Sequence, residues 1–120
     1  MRPAFAHEAV VDLDGDSDPD APGAAITARL CGSIDHAGQC PLAPHNIHWA
    51  GDGRAISVRI VFVTEPGQER TIRGLIRDAL QSGHFVSPDG RASSWRLVKD
   101  NRGALRAEEQ SLATRLAATE

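Results

Sequence analysis

The chemistry-bearing residues of the chain are concentrated between Cys31 and His48, in the run CGSIDHAGQCPLAPHNIH. Cys31, His36, Cys40 and His45 follow the spacing C-x4-H-x3-C-x4-H, and His48 is a fifth candidate donor. Thiolate sulfur and imidazole nitrogen are the donors zinc prefers, and four of them complete a tetrahedral site. Short spacings limit the loop entropy that metal binding must overcome. Gly32 and Gly38 allow the backbone to turn around an ion, Pro41 and Pro44 stiffen the approach to His45, and Asp35 is a candidate acceptor that orients the imidazole of His36. The expectation is zinc in a structural or regulatory role, with Cys31, His36, Cys40 and His45 as ligands. Two other readings use the same residues: hydrogen-bonding histidines with inert thiols, and a redox-active Cys31–Cys40 pair.

Catalysis has less support. The chain has no H-E-x-x-H helix and no H-x-E…P-C-x-x-C pattern. A zinc-activated water with Asp35 or His48 as base, or a small thiol enzyme, is the remaining enzymatic form, and the reading leans away from an enzyme.

Two charged regions offer different chemistry. Asp12, Asp14, Asp16, Asp18 and Asp20 alternate in a way that resembles a calcium loop. Ser17 stands where that loop needs glycine, Gly23 where it needs glutamate, and Pro19 interrupts it, so a solvated acidic turn is expected. Residues 54–106 hold 10 basic and 5 acidic side chains, with Arg70, Arg73 and Arg77 along one side of an expected helix and Arg29 and Arg59 expected on one outward strand face. This basic side supports the alternative function, a metal-free module that binds an anionic or protein partner. A solvated face laced with ion pairs is its bland counterpart.

The elements that carry these residues follow from periodicity. Residues 7–13 are β-leaning, and 14–23 are dense in turn formers. In 24–32, Ile26, Ala28 and Leu30 alternate with Thr27, Arg29 and Cys31, which predicts a half-buried strand. Residues 33–53 show no sustained period and are expected as a loop. In 55–64, Ile56, Val58, Ile60 and Phe62 share one face of a central strand. Pro66 opens a helix whose stripe is Ile72, Leu75, Ile76, Ala79 and Leu80, with Gly83 as its stop. A strand over 93–99, broken by Asn101 and Gly103, and a helix over 104–118 with Leu105, Leu112 and Leu116 inward complete the chain. The predicted fold is α+β: a mixed, mainly antiparallel sheet of about four strands with two helices on one face, in the order β-β-β-α-β-α. It is expected to be one domain over 1–120, with a flexible N-terminus at 1–6, an acidic loop at 14–23 and the Cys/His/Pro loop at 33–53.

Composition sets outer bounds. The 120 residues suit one domain, and 41% hydrophobic with 24% charged residues is the balance of a soluble globular chain. Net charge is -3, but residues 1–23 alone contribute -5 and the remainder +2, so the acidity is local. That balance, with 4% aromatics and no Tyr, disfavours nucleic acid as the main partner. No signal peptide or membrane-length apolar run is present in the sequence, so a cytoplasmic location, reduced cysteines and no membrane partner are expected. The Ala-, Arg-, Gly- and Asp-rich composition suggests a bacterial, GC-rich source.

Overall fold

The computed structural model describes residues 3–31, 43–52 and 54–118. The element order is β1 (Ala4–Leu13), α1 (Ala21–Cys31), β2 (His45–Gly51), β3 (Ala55–Val63), α2 (Glu69–Ser82), β4 (His84–Val86), β5 (Ala92–Gly103) and α3 (Gln110–Ala117). Short 3-10 turns at Pro66–Gln68 and Ala107–Glu109 lead into α2 and α3. The five strands form one sheet in the order β2-β3-β1-β5-β4, with every neighbouring pair antiparallel. The chain is thus α+β, with five strands and three helices among the described residues in place of the four and two expected.

Strand alternation divides the sheet into two faces. On the first, Ala9, Val11 and Leu13 of β1 meet Ile56, Val58, Ile60 and Phe62 of β3, and α1 and α2 cover them with Ile26, Leu30, Ile72, Ile76, Ala79 and Leu80. Each such fully buried large aliphatic chain contributes about 2 kcal/mol of transfer free energy. Trp95 of β5 joins this core and donates its indole N–H to the carbonyl of Leu80 at 2.8 Å. On the second face, Val61 and Val63 meet Leu116 and Ala117 of α3, with Ala4, Leu105 and Leu112 alongside. The helices therefore occupy both faces, not one.

Three local expectations are corrected. The strand expected over 24–32 is a helix through its described residues, 24–31: α1 runs to Cys31, and its buried positions, Ala21, Ala25, Ile26 and Leu30, recur at helical spacing. Alternation of three apolar residues that include alanine carried little information, and the alanine content favours helix. Arg29 consequently lies on a helix and shares no strand face with Arg59. The segment 33–53 contains a strand, β2, whose Ile47 and Trp49 pack against the first core. At Gly23 an added Cβ would meet Ile47 Cγ2 at 3.1 Å, so the glycine lets α1 approach β2 closely. Finally, β5 continues through Asn101 to Gly103, because β1 begins at Ala4 and offers it partners: Ala6 pairs with Gly103 and His7 with Arg102.

α2 follows its predicted stripe. It stops at Gly83, whose φ of 74° is the left-handed conformation that glycine adopts without a Cβ penalty.

Candidate anion site

Where the first face of the sheet runs out beyond the core, its side chains become polar. His7 follows the alternation of Ala9, Val11 and Leu13 and is therefore buried, at 1% exposure. A neutral imidazole in that position needs two partners, and it has them. Arg73 of α2 brings Nη1 to His7 Nδ1 at 2.9 Å, and Asp100 of β5 brings Oδ2 to Nε2 at 2.9 Å. A guanidinium can only donate, so Nδ1 accepts and Nε2–H donates to the carboxylate. Burial holds the imidazole pKa below its ordinary 6.5 against the opposing pull of Asp100, with Arg73 and Arg77 adding to the depression.

The network extends from both ends. Arg77 Nε donates to Asp100 Oδ2 at 3.1 Å. Arg73 also donates to the Ala6 carbonyl at 2.7 Å and to Glu69 Oε2 at 2.8 Å, while its guanidinium sits 5.3 Å from the Phe62 ring centroid. Glu69 accepts a further bond from Arg102 Nη2 at 2.6 Å. Hydrogen bonds from Arg73, and then from Arg102, keep the Glu69 carboxyl below its usual range despite the cost of desolvation. Asp100 is also held low: its bonds from His7 and Arg77 outweigh burial, which acts in the other direction.

A groove of about 860 Å³ opens beside this network, between α2 and β5, and is lined by His7, Arg70, Arg73, Gly74, Arg77, Asn101 and Arg102. Among the described residues no carboxylate lines it. Counting the two paired carboxylates beside it, Asp100 and Glu69, against the four arginines of its lining leaves an excess of two positive charges among the described residues. Arg77 and Arg102 are 52% and 72% exposed, so their remaining N–H donors are available to a ligand.

The residues singled out in the sequence fare differently. Cys31 is the last residue of α1, and His36 and Cys40 lie outside the described residues. His45 opens β2 with both ring nitrogens engaged: Nδ1 donates to the Ala43 carbonyl at 2.9 Å and Nε2 accepts from Thr27 Oγ1 at 3.0 Å. His48 is three residues on, hence on the opposite face of the strand, and opposite Arg59. His45 and His48 therefore do not serve one ion from β2. Among the described residues no group of three or more His, Cys, Asp or Glu side chains is arranged to hold a metal. The acidic loop is dispersed into separate contacts: Asp12 with Arg96, Asp14 with Ser94, and Asp20 with the Trp49 indole.

Comparison with protein-family models, curated proteins and solved structures finds no match.

Arg70, Arg73 and Arg77 were visible as a helix stripe. His7, Asp100 and Arg102 were not singled out. The available signal was His7 itself, a titratable residue at an inward position of a strand.

Proposed function

We propose that the protein is an anion-binding module whose ligand occupies the groove between α2 and β5. The observation that carries this reading is the excess of arginine over carboxylate around a groove with no acidic lining among the described residues. Guanidinium groups pair bidentately with phosphate and carboxylate, and in a recessed site each such bond is stronger than on an open surface. His7 positions Arg73 and does not contact the ligand: it is buried, and both its nitrogens are occupied. The test is calorimetric titration with inorganic tripolyphosphate at low ionic strength. Saturable binding that weakens with added salt and is lost on combining Arg77→Ala with Arg102→Ala is expected; binding that this double variant retains would refute the reading.

Zinc binding by Cys31, His36, Cys40 and His45 is a second proposal. Its support is that the Thr27–His45 hydrogen bond joins the start of β2 to α1 only one helical turn before Cys31, which brings together the two ends of the segment that carries the other ligands. Coordination through His45 Nε2 requires the Thr27 bond to be given up. Substoichiometric zinc in protein purified without added metal, with folding unchanged by chelator, would exclude a structural zinc.

A further inference from the structure

Gly74 stands in the interior of α2, where glycine is unfavourable relative to alanine because its backbone loses more conformational freedom on folding. The fold gives no reason for it. Its φ is not among the positive glycine values, which are at Gly15, Gly51, Gly83 and Gly90. An added Cβ would meet nothing within 4 Å. Gly103 differs: a Cβ there would approach Glu8 Cγ at 3.0 Å and Arg59 Nη1 at 3.1 Å. At Gly74 the space left by the missing side chain is groove, since the residue is part of its lining. Arg70 lies four residues before it and Arg77 three after, on the same side of the helix, with Cα positions about 10 Å apart along the axis.

The arginines of the groove are also held apart. Asp100, His7, Arg73 and Glu69 form one hydrogen-bonded chain: carboxylate, imidazole, guanidinium, carboxylate. Arg77 is tied to the Asp100 end and Arg102 to the Glu69 end. The two exposed guanidinium groups are thus anchored at opposite ends of the chain. A ligand with several linked anionic groups can meet each arginine where it stands.

Building on the anion-binding reading of the groove, we propose that Gly74 is the seat of the ligand and that the ligand carries a linear polyphosphate group, bridging the Arg77 and Arg102 corners across the gap. Among the described residues no Phe, Trp or Tyr lines the groove to stack a base, so the phosphate chain, whether inorganic or carried by a nucleotide, supplies the recognition.

The experiment is calorimetry on the full chain with orthophosphate, tripolyphosphate and ATP, for wild type, Gly74→Ala, Gly74→Leu and Arg77→Ala/Arg102→Ala, alongside thermal unfolding. Tripolyphosphate is expected to bind at least about tenfold tighter than orthophosphate, and Gly74→Leu to weaken it at least about tenfold. Gly74→Ala, which helix propensity favours, should unfold at or above the wild-type temperature and still bind more weakly, so it stands in if the leucine variant does not fold. ATP binding equal to tripolyphosphate supports recognition through the phosphate chain alone, from either source; ATP binding more than about tenfold tighter overturns it, because the nucleoside would then carry the recognition. Equal affinity for orthophosphate and tripolyphosphate overturns the polyphosphate assignment. Wild-type affinity in a folded Gly74→Leu, with binding lost in the arginine double variant, overturns the role of Gly74 and leaves the groove. No binding of any of the three by wild type removes the underlying reading itself.

Discussion

The two faces of the sheet each carry an arginine–carboxylate network, and the two are built to different ends. On the α3 face, Arg59 of β3 is 9% exposed and spends its donors within the fold: Nε and Nη2 bond both oxygens of Glu109 at 2.6 and 2.7 Å, Nη2 also reaches the Ala104 carbonyl at 2.6 Å, and Nη1 bonds Glu8. Glu109 in turn accepts the Arg106 backbone N–H at 2.8 Å, which ties the start of the α3 segment to the sheet. The adjacent polar cavity is about 350 Å³ and includes Glu8 in its lining. On the α2 face, two carboxylates bond three arginines, Arg73, Arg77 and Arg102, and a fourth, Arg70, lines the same groove of about 860 Å³. Saturation makes the first network a latch. Excess charge makes the second the candidate site. Arginine count alone does not separate them; the ratio of donors to internal acceptors does.

Breaking the latch should have the largest effect. Arg59→Ala leaves Glu109 and Glu8 without their cation and is expected to cost about 3 kcal/mol of stability, read as a fall in denaturant midpoint. Its tripolyphosphate affinity, measured under conditions where the variant is folded, should stay near wild type. Arg77→Ala with Arg102→Ala should give the inverse result: binding lost, and stability changed by no more than about 1 kcal/mol, since both side chains are more than half exposed.

Acid should separate the faces by pH. Hydrogen bonding from Arg59 lowers Glu109 from 4.5 to about 2. Its contribution is complete above the unfolded value and is lost as pH falls from about 4.5 toward 2, so Glu109→Gln should flatten that part of the stability profile. His7 acts in a higher window. Its folded pKa is depressed below 6.5, so on acidification the unfolded chain takes up a proton before the folded one does. Stability is therefore lost as pH falls from 6.5 through the depressed value, and His7→Gln should reduce the slope there. Smallest of all, Arg96→Ala, which breaks an exposed pair with Asp12 at 2.8 Å, should change stability by less than about 1 kcal/mol and binding not at all.

How far the sequence anticipated this contrast depended on the kind of signal. The β3 alternation from Ile56 to Phe62 and the α2 stripe from Ile72 to Leu80 were legible because burial imposes their periods directly. α1 was misread because alanine fits either period, and β2 was missed because its inward positions begin with a histidine that hydrogen-bonds to Thr27. The arginines of α2 were visible as a stripe. Which arginines are saturated was not, since that depends on strand register, which places Arg59 opposite Glu8 and Arg102 opposite His7. The expected end of β5 near Asn101 removed Arg102 from view and left Asp100 at a strand terminus.

The central claim is that anion affinity belongs to the unsaturated network alone. The most direct measurement is a two-dimensional amide NMR titration of the full chain with tripolyphosphate at low ionic strength. Saturable shifts are expected, centred on His7, Arg70, Gly74, Arg77 and Arg102, with Arg59, Glu109 and Arg106 unmoved. Shifts centred instead on Arg59 and Arg106, or an absence of saturable shifts anywhere, would contradict it.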